Sequence, residues 1–145
     1  MAGRKNVFVS FDYDNDKRYK YLLEAWDANP NFDFVFRDTT PGEINTNDIG
    51  RIKAGLTQKI NLATHTLFIV GAHANQLHKD RKQIGYVNWI NFEAAKSIES
   101  RNNLAVVKLD KGHAVPQELK KGRYWWIQGF SEPNVIQVLN DSAKR

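Results

Sequence analysis

Three short runs constrain this chain more than anything else in it: NVFVSF at 6–11, TLFIVG at 66–71 and LAVVKL at 104–109. Each is almost continuously apolar and rich in β-branched residues, as a strand buried on both faces is. Such strands need cover above and below, and the stretches between them have the spacing to supply it.

After the first run, Tyr19, Leu22, Leu23 and Trp26 recur at helical spacing, with Asp16 placed to cap the helix and Asn29-Pro30 to stop it. Phe32, Phe34 and Phe36 then alternate with Asp33, Val35 and Arg37, the period of an edge strand with one partly polar face. A polar loop with a Pro41-Gly42 turn leads to Asp48, an N-cap for a helix marked by Ile49, Ile52, Leu56, Ile60 and Ala63. Residues 72–86, after the second apolar run, read as a long polar loop with His73, His78 and a basic cluster. VNWINFEAAKSIE, from 87, starts a helix that runs to about Arg101. Ile90, Ala94 and Ile98 form its apolar stripe, while Trp89 and Glu93 share another face one turn apart. Beyond the third apolar run, residues 110–123 are irregular and RYWWIQ at 123–128 is a short last strand. A final helix spans 131–144, with Pro133 in its first turn and Val135, Ile136, Val138 and Leu139 inward.

The alternation predicts an α/β fold: a five-stranded parallel sheet of order 2-1-3-4-5 with helices on both faces, in a single domain over 1–145. The alternating second strand suits an edge, and the three apolar runs suit the interior.

Composition removes several function classes. Without cysteine there is no disulfide framework and no thiolate zinc site, which suits a cytoplasmic protein. No stretch resembles a signal peptide or is apolar enough to span a membrane. The net charge of +5 is modest and scattered, with no basic stripe interleaved with aromatics, so no nucleic acid is expected. The four histidines lack metal-ligand spacing, and no metal is expected. No dinucleotide-binding, Walker A or nucleophile-elbow motif occurs.

Ligands of open parallel sheets sit beyond the carboxyl ends of the strands, where strand order reverses. That point lies between the first and third strands. It brings the loop Phe11-Asp12-Tyr13-Asp14-Asn15-Asp16 toward the Trp89/Glu93 helix, whose N-terminus near Asn88 offers N–H groups suited to phosphate. Spacing alone leaves two readings open. Glu93 is either a site carboxylate or an ordinary surface residue near Lys96 and Ser97. Asp12, Asp14 and Asp16 either contact a ligand or serve the turn and the cap.

The segments VFVSFDYDND, KYLLEAWDANPNFDFVFRD, IKAGLTQKINLATHTLFIVG and WINFEAAKSIE resemble the bacterial TIR-like proteins, among them the TIR subunits of Thoeris antiphage defence. The likeness runs from about Asn6 to Leu109. It implies a flavodoxin-like TIR fold and an enzyme that cleaves the nicotinamide–ribose bond of NAD, with NAD as substrate and no cofactor. The product implied is a cyclic or modified ADP-ribose messenger that activates a partner effector. The motif WINFE assigns the catalytic role to Glu93. The first loop (Phe11, Asp12, Tyr13, Asp14) and Trp89 would contact NAD, and a gating loop from Arg37 and Asp38 through Asn47 would also meet neighbouring subunits in self-association. This chain departs from the pattern in its longer, more basic loop HKDRKQIGY and in Phe92, where many relatives have Trp. Three other readings share the fold: a non-catalytic TIR-type adaptor acting by assembly, a base-modifying or nucleoside-cleaving enzyme, and a phosphoacceptor receiver. The receiver needs an aspartate at the end of the third strand, which here ends Val70-Gly71-Ala72.

Overall fold

The computed structural model describes residues 5–12, 18–28, 34–38 and 48–143. Its strands are β1 Lys5–Ser10, β2 Phe34–Asp38, β3 His65–Val70, β4 Asn103–Lys108 and β5 Tyr124–Ile127. Its helices are α1 Arg18–Asp27, α2 Ile49–Leu62, the one-turn α3 Arg81–Ile84, α4 Trp89–Glu99 and α5 Glu132–Ser142, with a 3-10 helix at Gln117–Lys121. All strand pairs are parallel, and the sheet order is β2-β1-β3-β4-β5, as the alternation requires. No helix among the described residues is long and apolar enough to cross a membrane.

Period-two alternation sorts the strand side chains between two layers. Val7, Val9, Leu67, Ile69, Ala105 and Val107 pack with Leu23 of α1 and with Val135 and Leu139 of α5. Phe8, Phe68 and Val106 point the other way, into clusters that include Ile52, Leu56 and Ile60 of α2 and Phe92 and Ala94 of α4. Each large side chain buried this way contributes about 1.5–3 kcal/mol.

The three central strands begin one residue earlier than their apolar runs. Lys5 pairs with Phe34, and His65 pairs with Asn103. Backbone pairing, not side-chain polarity, sets where a strand starts. His65 is nonetheless buried, and both ring nitrogens are satisfied, by Thr64 Oγ1 at 2.7 Å and by the Leu139 carbonyl at 2.8 Å. A carbonyl only accepts, so Nε2 carries the proton and ties β3 to α5.

Two expectations need correction. Arg37 and Asp38 belong to β2, not to a gating loop, because the ladder with β1 continues through them to Phe8 and Val9. The rest of that loop, Asn47 included, lies outside the described residues. Asp48 caps α2 as anticipated, its carboxylate accepting the Arg51 N–H at 3.2 Å. Residues 72–86, expected as a polar loop throughout, also contain the one-turn α3. Ala74 and Ile84 are buried anchors, His78 Nδ1 accepts the Asp80 N–H at 2.9 Å, and Gly85 closes α3 at φ +88°, a conformation costly for other residues. Isolated anchors of this kind have no period, so hydrophobic patterning passes over them.

Candidate functional site

Helix α4 starts because Asn88 caps it: the extended Asn88 backbone precedes the first turn, and its Oδ1 accepts the Asn91 N–H at 2.9 Å. The helix is enclosed on more than its apolar stripe. Ile90 and Ala94 are buried as the stripe predicts, but so are Asn91, Phe92, Glu93 and Ser97. Gly122 permits part of this enclosure. A Cβ there would lie 2.7 Å from Ile98 Cγ1, so the segment after the 3-10 helix approaches α4 closely only as glycine.

Glu93 is 3% exposed, and Ser10 Oγ donates to its Oε1 at 2.6 Å. Ser10, itself 1% exposed, is the last residue of β1 and stands in register with Phe68 of β3. It shares the parity of Phe8 and so faces the α2/α4 layer. The pair therefore joins the carboxyl end of β1 to α4, beside the boundary between β1 and β3 where strand order reverses. The reading of Glu93 as a surface carboxylate is overturned by this burial. Lys96 pairs instead with Glu99 at 3.1 Å, and Ser97 Oγ lies 2.8 Å from Thr66 Oγ1.

The other expected site residues divide. Trp89 is half-buried and meets Phe92 edge-on with ring centroids 5.6 Å apart; His78 lies 6.4 Å away. Phe92 is fully buried among Tyr86 and Trp89 and so gives Trp89 an aromatic support. Phe11 is 6% exposed and belongs to the core cluster on the α1/α5 side of the sheet, opposite Ser10. Its burial is what the two-sided apolar run 6–11 predicts. Asp12, next in the chain, is half-buried. Tyr13 and Asp14 lie outside the described residues, as does Asp16.

The helix N-terminus is flanked by its own loop. Asn88 is buried, and its Nδ2 donates to the carbonyls of Ala74 at 2.9 Å and Gln76 at 3.0 Å. Asn91 Nδ2 lies within 3.2 Å of Ala74 O, Asn75 Oδ1 and Asn88 Oδ1, and its Oδ1 accepts the Glu118 N–H at 2.9 Å. Asn75 Oδ1 accepts the Gln117 N–H at 2.9 Å. Three asparagines thus bolt the 74–76 turn and the 3-10 helix onto the start of α4. Sequence reasoning missed Asn75, Asn91 and Ser10. The visible signals were the N-x-x-N spacing of Asn88 and Asn91, and a serine on the buried side of a two-sided apolar strand.

Among the described residues no group of three His, Cys, Asp or Glu side chains could hold a metal ion. An open groove of about 490 Å³ runs between α2 and α4, lined by Lys53, Thr57, Leu62, Phe92 and Lys96 among others, and Glu93 is not in its wall. Burial and hydrogen bonding single out Glu93.

A family model described as "Thoeris protein ThsB, TIR-like domain" matches residues 8–114, more than half of the chain. No curated protein matches in sequence. Among solved structures, "Crystal Structure of a prokaryotic SEFIR domain" is similar over 97% of this chain and 94% of its own, with a TM-score of 0.54 at 13% identity. "2-desoxiribosyltransferase from Leishmania mexicana" is similar over 73% of this chain and 65% of its own, with a TM-score of 0.50 at 11% identity. At such identities the two structures speak for the fold alone.

Proposed function

Because the chain belongs to the Thoeris ThsB TIR-like domain family, we propose that it is an antiphage-defence enzyme that breaks the nicotinamide–ribose bond of NAD. The product in this reading is a cyclic or otherwise modified ADP-ribose, a messenger for a partner effector. The observation that carries it is a buried carboxylate, Glu93, holding a serine hydroxyl at the carboxyl end of the central strands. A carboxylate taken so far out of water costs free energy unless it is paired, and such groups concentrate at functional sites.

The chemistry follows from the bond that breaks. Cleavage of an N-glycosidic bond develops oxocarbenium charge on the ribose, and a fixed carboxylate stabilises it. Nicotinamide is already cationic in NAD and leaves neutral, so no acid has to protonate it. One carboxylate suffices. Trp89, one turn before Glu93 and braced by Phe92, supplies an apolar wall that limits water. Asp12 stands at the mouth of the first loop and contacts the nucleotide, with Tyr13 and Asp14 beside it in sequence. Phe11 has no stacking role in this reading. Water reaching the cation gives ADP-ribose; a second nucleophile held there gives the cyclised or conjugated product.

The test is incubation of the purified chain with NAD, with and without lysate of phage-infected cells, followed by mass spectrometry. Release of nicotinamide with a product isomeric to cyclic ADP-ribose supports the reading. A folded wild type that leaves NAD intact even at high protein concentration replaces it with a non-catalytic adaptor that works by assembly.

A further inference from the structure

Resting on the NAD-cleaving reading above, we propose that Ser10 is a positioning residue that fixes the orientation of the Glu93 carboxylate toward the ribose. Three observations lead there. First, Ser10 sits where the fold gains nothing from a hydroxyl. It ends a central strand, faces the same layer as the fully buried Phe8, and is itself 1% exposed. An apolar residue would suit that place better, since burying a hydroxyl costs free energy unless it is hydrogen-bonded. The hydroxyl is justified by what it donates to, Glu93 Oε1 at 2.6 Å, across 83 positions of sequence.

Second, at 2.6 Å the bond is short and holds Oε1 in a defined direction, and a hydroxyl donating to a charged oxygen is stronger than a neutral pair. An ionised carboxylate is what the developing ribose cation requires, whereas a protonated one would offer it nothing. Third, the donor is anchored. β1 pairs with β2 on one side and β3 on the other, and Ser10 itself is in register with Phe68. Glu93 is carried by α4, and Ser10 by a central strand of the sheet. The hydroxyl therefore references the carboxylate to the sheet. Ser10 keeps its proton throughout and forms no bond to substrate.

The experiment measures nicotinamide release from NAD by the full chain and by Ser10→Ala, Ser10→Thr and Glu93→Gln. Removing a hydrogen bond to a charged group is expected to lower kcat in Ser10→Ala by about 10- to 100-fold. KM for NAD should stay within about twofold, because the loss falls on the transition state rather than on binding. Ser10→Thr, which keeps the hydroxyl, should recover most of the rate. Wild-type kcat in folded Ser10→Ala overturns the proposal, as does a Ser10→Thr as slow as Ser10→Ala, which would mean that strand packing and not the hydroxyl matters. If Ser10→Ala does not fold, Ser10→Cys replaces it: a slow cysteine variant beside an active threonine variant supports the proposal, and equal rates overturn it. A wild type and a Glu93→Gln variant equally inert toward NAD overturn the activity itself, and Ser10's role with it. An active wild type with an unaffected Ser10→Ala overturns only the role of Ser10.

Discussion

Helices α2 and α4 lie side by side on one face of the sheet and bury opposite kinds of side chain. α2 turns Ile52, Leu56 and Ile60 inward. α4 encloses Asn91, Glu93 and Ser97 along with its apolar residues. Both faces are closed to water, so the difference is not one of exposure. In α2 burial is itself the stabilising term. In α4 each buried polar group needs a partner, and each has one in another element: Asn91 at the 3-10 helix, Ser97 at Thr66 of β3, and Glu93 at Ser10 of β1. A helix built this way gains little stability over an apolar one, and it gains a defined position. It is the natural carrier of a group whose placement matters to about an ångström.

The contrast can be broken from either side. The largest expected effect is on activity: Glu93→Gln should reduce NAD cleavage by at least about a hundredfold. Its melting temperature should stay close to wild type, because the amide oxygen still accepts from Ser10. Equal turnover in the folded variant would move the chemistry elsewhere, and a larger loss in Asp12→Ala would move it to the first loop. Next, Leu56→Ala should cost about 2–5 kcal/mol in denaturant unfolding, the range for a buried leucine. That protein's turnover should fall only in proportion to its folded fraction. A selective activity loss would show that α2 also serves the site. Asn91→Ala leaves the Glu118 N–H without its acceptor, at about 1–3 kcal/mol. Because Asn91 bolts two segments to α4, hydrogen exchange should rise in both the 74–76 turn and the 3-10 helix. Exchange confined to α4 would refute the asparagine cluster as their anchor. Asp48→Ala removes the α2 cap and should cost about 1 kcal/mol.

The smallest effect tests the surface. The Glu118 carboxylate hydrogen-bonds the Lys121 ammonium at 2.9 Å and holds its pKa above the ordinary value. A raised lysine pKa means any contribution is present at neutral pH and lost as pH rises through the lysine's own titration. The ammonium is fully exposed, so Lys121→Met should leave the melting temperature unchanged at neutral pH, and a measurable drop would contradict that.

Much of the fold was legible because two periods were. Continuous apolar runs marked β1, β3 and β4, the Phe34/Phe36 alternation marked the edge strand β2, and the 3.6-residue spacing of Ile52, Leu56 and Ile60 marked α2. Topology followed from alternation, because parallel strands joined by helices have few ways to pack. The opening loop was less legible. The resemblance assigns Phe11 to NAD contact and its apolar run assigns it to the core, where it packs, while its neighbour Ser10 faces Glu93. The 72–86 segment was illegible in detail, since its order rests on single anchors and side-chain-to-backbone hydrogen bonds that have no repeat.

By itself, then, the sequence determined the sheet, its order, the helix that carries Glu93, and the family to which the chain belongs. Those depend on local periods and on motifs contiguous in the chain. Only the tertiary structure decided what surrounds Glu93. A hydrogen bond between positions 10 and 93, or among Asn75, Asn88, Asn91 and the backbone near 117, leaves no trace in spacing. It exists only once the sheet has brought β1 beside β3 and packed α4 against both, so that a strand's pleat and a helix's turn decide together which side chains meet.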